Sequence, residues 1–170
     1  MEKIVREATA EATGHIGALL MLMGMTMGIG GVIDRAEIML MLPAEFSSIW
    51  MAMALLVGML VFIGMIMDPY GAVVLVTATI ADIAYKNGID PVHFWMVTLV
   101  AFELGYLSPP VALNHLLTRQ VVGEREFELA KEETAGENFW YRHERILLPL
   151  VTMAVALLIV AFVPLAIGYD

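Results

Sequence analysis

The chain has 170 residues, of which 60% are apolar, carries a formal charge of −9 and contains no cysteine. With a mean hydropathy of +0.81, this composition excludes an ordinary soluble domain and makes an integral membrane protein the first reading. The missing cysteines exclude a disulfide framework and a thiolate metal site, and the acidic balance argues against nucleic acid, which requires a basic face.

The opening Met1-Glu2-Lys3-Ile4-Val5-Arg6-Glu7 is mixed in charge, and no small-residue cleavage pattern follows it, so no cleavable signal is read. The first apolar run, Ile16 to Ile33, comes after only this short polar lead, which points to Met1 lying inside a longer natural protein. At about 1.5 Å per residue, residues 16–33 nearly cross the hydrocarbon core and are read as a transmembrane helix. Gly17, Gly24, Gly28, Gly30 and Gly31 give it a small-residue face suited to close packing. Asp34 to Glu45 is a surface segment, with Ile38 to Leu42 lying along the interface.

Residues 49–85 read as a helical hairpin. Its first leg, Ile49 to Met67, is long enough to span; its second, Tyr70 to Tyr85, is short, and Asp68-Pro69 between them leaves room only for a tight reversal. Asp68 at the tip is a turn residue by default. Lys86 to Pro91 is a loop in which Asp90-Pro91 starts the next helix, and His93 is placed at the interface.

Residues 94–117 form the stretch around which the chain is organised. They are apolar enough to cross a bilayer, yet include Glu103, Gly105, Ser108, Pro109, Pro110, Asn114 and His115. Each proline lacks an N–H and crowds the carbonyl four residues back, so the helix is interrupted near Leu107 and Ser108. Freed carbonyls at this depth are tolerated only where protein covers them or where they line a cavity, as in the broken helices of secondary transporters. The alternative is a proline-kinked packing helix. Glu103 favours function, because a carboxylate inside a span costs on the order of 2.5–3.5 kcal/mol. It is expected to be protonated or paired, with His115 one candidate partner, and Glu103 and Asn114 are candidate coupling or substrate residues.

Residues 118–145 are polar and contain a short surface helix over Glu126 to Glu133, with Trp140 and Tyr141 as interfacial aromatics. Residues 146–167 are the last transmembrane helix. The spans put seven Lys and Arg (two in the N-terminal lead, five in 118–145) on one side and two, Arg35 and Lys86, on the other, so the N-terminus and 118–145 are read as cytoplasmic. The 14 methionines are dispersed through apolar segments as packing side chains. No Ser/His/Asp arrangement, phosphate loop or histidine ligand spacing is present, so the chain is not read as an enzyme.

Three stretches in order, Gly64-Met65-Ile66-Met67-Asp68, Asn87-Gly88-Ile89-Asp90-Pro91-Val92-His93-Phe94 and Gly105-Tyr106-Leu107-Ser108-Pro109-Pro110-Val111-Ala112-Leu113-Asn114, resemble the large permease subunit of tripartite ATP-independent periplasmic (TRAP) transporters of the dicarboxylate type. The likeness runs from roughly Ala10 to Ile167 and covers a C-terminal part only. It implies an all-α integral membrane fold with a re-entrant-type hairpin and a broken helix, one inverted repeat of an elevator-type transporter. It further implies import of an organic acid with sodium as coupling ion and no other cofactor. Implied partners are a periplasmic substrate-binding protein, a small membrane subunit, the missing N-terminal half of the large subunit and the lipid of the bacterial inner membrane. By the same resemblance the cation would be held around Gly64, Met67, Asp68, Gly105, Ser108, Pro109, Pro110 and Ala112. Ser108 stands where the family usually has Thr, which keeps a hydroxyl, and Ala112 where it usually has Gly. The competing reading is a non-transporting membrane scaffold.

Overall fold

A computed structural model describes residues 2–35, 45–109, 112–133 and 138–168. Every element among them is an α-helix: α1 (Glu2–Arg35), α2 (Ile49–Ile66), α3 (Pro69–Ala78), α4 (Ile80–Lys86), α5 (Pro91–Leu107), α6 (Leu113–Val122), α7 (Glu124–Glu133) and α8 (Phe139–Ala166). The interfacial segment expected over Ile38 to Leu42 lies outside the described residues. Two of the described helices, Ile49–Ile66 and His143–Ala166, are long and apolar enough to cross a membrane.

The helices extend beyond the apolar runs because polar residues at their ends are good helix formers. α1 takes in the polar lead, where Lys3 and Glu7 pair at i,i+4 (3.9 Å), and α8 takes in Phe139 to Arg145. The segment 118–145 is accordingly divided between the end of α6, α7 and the start of α8. Five glycines of α1 do not pack closely. A Cβ at Gly14, Gly17, Gly24, Gly28 or Gly31 would meet nothing within 4 Å, although α1 touches α3.

Asp68 turns the chain from α2 into α3. Its Oδ2 accepts from the Gly71 N–H (3.0 Å), and Pro69 occupies the first helical position, where no N–H is needed. The second leg is then broken at Thr79. The buried Thr79 hydroxyl donates to the Leu75 carbonyl while its N–H turns to Val76 (3.3 Å), a side-chain competition that bends helices. The loop after α4 is pinned at both ends. Gly88 adopts φ +80, the Asn87 Oδ1 accepts from the Phe46 N–H (2.8 Å), and Asp90 caps α5 through the N–H groups of Val92 and His93 (2.8 and 3.1 Å).

α5 is the central helix, packed between α2 and α8. Met53, Leu56 and Leu60 of α2, Phe94, Val97 and Ala101 of α5, and Leu157 and Ala161 of α8 form the core. Trp50 stacks on Phe162 (6.0 Å, 6°) where α2 begins beside the end of α8. In lipid such helices associate through close packing and interhelical hydrogen bonds rather than by leaving water. One of these bonds is made by His93, which is 2% exposed. Its Nε2 lies 2.9 Å from the Val160 carbonyl. Val160 stands four residues before Pro164, which has no N–H to give, so the imidazole supplies the donor that α8 lacks there.

Candidate functional site

The ends of α2 and α5 meet backbone to backbone because both carry glycine at the crossing. A Cβ built on Gly105 would lie 2.6 Å from the Gly64 carbonyl carbon and 2.8 Å from both the Gly64 Cα and the Met65 nitrogen; one on Gly64 would lie 2.9 Å from the Phe102 Cα. This approach brings the carboxyl end of α2, at Ile66, beside that of α5, at Leu107. Between them is a small cavity of about 170 Å³ lined by residues 64–68, Gly105, Tyr106 and Ala112. The carboxyl ends of α2 and α5 and the Asp68 carboxylate lie at it, together with the amino ends of α3 and α6, which Asp68 and Ala112 begin, so dipole ends of both signs border it.

The break after Leu107 disposes of its hydrogen bonds unevenly. The Ser108 N–H donates to the Gly105 carbonyl (3.0 Å) and the Ser108 hydroxyl to the Leu104 carbonyl (2.7 Å), so both of those oxygens have donors. The Tyr106 carbonyl does not get one from its helix. The residues three and four positions later are Pro109 and Pro110, and neither has an N–H. The Tyr106 side chain is buried (8% exposed), tilted against Phe102 at 6.2 Å, and its phenol oxygen has no hydrogen-bond partner. The chain resumes as α6 after Ala112, which sits at φ 45, ψ 57 in the left-handed region, the only described residue other than glycine with positive φ.

Of the residues singled out in the sequence, Gly64, Met67, Asp68, Gly105 and Ala112 share the cavity wall. Ser108 and Pro109 lie in the link just beyond it, and Pro110 lies outside the described residues. Glu103 and Asn114 are brought together across the break, away from that wall: the Asn114 Nδ2 donates to the Glu103 Oε1 (2.7 Å). Asn114, not His115, is thus the partner of Glu103; the His115 Nε2 is buried without one. The sequence reading expected freed carbonyls at this break without singling out that of Tyr106 or its buried phenol. The signal was available by counting back three from Pro109 and four from Pro110, which both arrive at the same carbonyl.

No group of three His, Asp or Glu side chains able to hold a metal ion occurs among the described residues. A cation in this cavity would therefore rest on main-chain oxygens and Asp68, donors that suit hard ions. The His93 loop, by contrast, is accounted for by caps and by the bond to α8.

The profile of the family described as "Tripartite ATP-independent periplasmic transporter, DctM component" matches residues 4–166. The isethionate TRAP transporter permease protein DctMQ of Oleidesulfovibrio alaskensis is 28% identical over 93% of this chain and 24% of its own length. The C4-dicarboxylate TRAP transporter large permease protein DctM of Pseudomonas aeruginosa is 32% identical over 44% of the chain and 17% of its own length. The sialic acid TRAP transporter large permease protein SiaM of Vibrio cholerae is 30% identical over 55% of the chain and 23% of its own length. The chain thus spans about a quarter or less of these relatives. No solved structure matches it significantly. With the Asp68 turn, the Asp90 loop and the Pro-Pro break all inside the matched residues, the chain belongs to the DctM component family of TRAP transporters, which are membrane transporters and not enzymes.

Proposed function

We propose that this chain supplies one wall of a sodium-coupled uptake path for an organic acid, as one inverted repeat of an elevator-type permease. The carrying observation is the cavity lined by residues 64–68, Gly105, Tyr106 and Ala112, where the carboxyl ends of α2 and α5 and Asp68 meet beside a proline pair that denies the Tyr106 carbonyl its helical donors. Main-chain oxygens and a carboxylate at one place are donors that suit a small hard cation. The acid is supported by the solutes named for the relatives, isethionate, C4-dicarboxylate and sialic acid, all of which carry an acid group. It is also supported by α6, whose positive end has no side-chain cap and lies beside the Glu103 and Asn114 pair. The full path also requires the rest of the large subunit, a small membrane subunit and a periplasmic binding protein, in a bacterial inner membrane with the N-terminus cytoplasmic.

Sodium binding is tested on the purified chain in nanodiscs by the shift in thermal unfolding with NaCl against KCl at equal ionic strength. Ligand at 100 times its Kd stabilises by about 2.7 kcal/mol, so a sodium-specific rise is expected. Asp68→Asn keeps a good helix cap while removing the charge, and is expected to weaken the sodium response at least about tenfold, a difference of about 1.4 kcal/mol. An equal response to potassium, or a sodium response untouched by Asp68→Asn, overturns the reading. For the orientation, a cysteine at Asn87 should react with impermeant reagents from the outer side; reaction only from the cytoplasmic side refutes it.

A further inference from the structure

The central helix α5 is covered by α2 and by α8 and is open along one remaining line. Val92, Met96 and Leu99 are 62%, 51% and 65% exposed, and the exposed Glu103 continues them. Steps of four, three and four residues are the spacing of a seam between two helices, in which a single polar residue sets the register. Depth decides what can lie against such a line. On α8 the exposed Trp140 and the Phe162 that stacks on Trp50 stand 22 positions apart, about 33 Å of helix. That is the separation of the two aromatic levels of a membrane whose apolar core is about 30 Å thick. His93 meets Val160, so α5 starts at the Phe162 level. Glu103 comes ten positions later, about 15 Å further along the helix and hence near the middle of the membrane. A carboxyl at that depth faces protein or water and not lipid.

We propose that this line is the docking seam for a transmembrane helix from the part of the permease outside residues 1–170. That helix is apolar opposite Val92, Met96 and Leu99 and carries a hydrogen-bonding side chain opposite Glu103. The inference rests on the reading above that this chain supplies one wall of the path, and it names where the other wall is attached. The chain spans a quarter or less of its relatives, so most of the length of such a permease lies outside it. The Asn114 Nδ2 meets one Glu103 oxygen (2.7 Å), yet the carboxyl stays exposed, within reach of a second polar group. Three apolar residues make a poor wall for a water-filled path and a carboxyl makes a poor surface for lipid, whereas a helix with one polar side chain meets both. A second copy of the chain fits less well. About a two-fold axis along the membrane normal it sets Glu103 against Glu103 at the same depth, where like charges oppose each other.

The test places the photo-cross-linker p-benzoyl-phenylalanine at Met96, and separately at Leu99, in the assembled transporter in native membranes, and identifies the adducts by mass spectrometry. Both positions are expected to join one helix of the permease outside residues 1–170, at sites about one turn apart, with a polar side chain within the next turn. Glu103→Leu should lower the Tm of the assembled transporter by about 2 °C, the loss of one interhelical hydrogen bond. In the isolated chain, which lacks the docked helix, the same change should leave the Tm unchanged or higher. The adducts decide by themselves should the leucine variant fail to fold. Lipid adducts alone, a peptide from within residues 1–170, a peptide of another subunit, or an equal fall in Tm with and without the rest of the permease overturns the proposal. The sodium test above reads the isolated chain, so its failure and a failure here are told apart.

Discussion

Gly105→Ala is the sharpest perturbation of the contact that forms the candidate site. The added methyl would sit 2.6–2.8 Å from three backbone atoms of Gly64 and Met65, whereas ordinary carbon contacts begin near 3.5 Å. No flexible side chain is available to give way, so α2 and α5 must separate by roughly 0.8 Å at the crossing to restore that spacing. Overpacking of this kind costs about 1–3 kcal/mol, and backbone atoms on all sides put this case in the upper part of that range. Alanine regains about 1 kcal/mol of helix propensity over glycine, leaving a net loss of about 1–2 kcal/mol, or a fall in Tm of about 2–8 °C on the scale of domains this size. Gly64→Ala, whose nearest neighbour would be at 2.9 Å, should lose less, and Gly58→Ala, with nothing within 4 Å, should lose nothing. Tryptophan-detected unfolding in one detergent ranks the three, and Gly105→Ala proving as stable as Gly58→Ala refutes the backbone-contact argument.

Ala112→Gly removes the left-handed strain at φ 45 and should raise stability by about 1 kcal/mol; a fall in Tm would show that the alanine methyl contributes packing that outweighs the strain. His93→Phe leaves the Val160 carbonyl without a donor and should cost about 1–3 kcal/mol. Pro164→Ala restores an N–H at the right place in α8, so the double variant should recover most of that loss, and a cycle with no coupling between the two sites would disprove the role given to His93. Glu103→Gln retains an amide oxygen for the Asn114 Nδ2 and should leave folding unchanged. In the complete transporter its uptake against sodium and pH then decides the matter, because an unchanged profile removes Glu103 from coupling.

The break and the tip were legible because prolines act locally: Pro109 and Pro110 end α5, and Asp68-Pro69 ends α2, whatever surrounds them. The contact between Gly64 and Gly105 was not legible. Forty-one positions separate them, and nothing in either helix's pattern states which glycine meets a partner; Gly17, Gly24, Gly28 and Gly31 of α1 look alike in sequence, and a Cβ on any of them would meet nothing within 4 Å. The pairing of Glu103 with Asn114 was hidden for a related reason, since helical spacing relates residues only within one helix and the link at 108–112 resets the phase. The partner of His93 was not legible either, because it lies on another helix. The carbonyl that it meets is that of Val160, 67 positions later, left without its helical donor by Pro164. Thr79 gave no warning of the bend in the second leg, as threonines back-bond in straight helices here too, Thr98 to the Phe94 carbonyl among them.

The Tyr106 carbonyl lacks its helical donors because of its neighbours' covalent structure and not because of its own side chain. Conventional alanine scanning is therefore blind to it: replacing Tyr106 deletes the ring and leaves the oxygen where it was. The informative chemistry lies on the main chain, either returning an N–H at position 109 or 110 or weakening the acceptor by an amide-to-ester exchange between residues 106 and 107. It follows that this part of the molecule can tolerate side-chain drift while keeping the same acceptor, as long as the two imino acids stay in register.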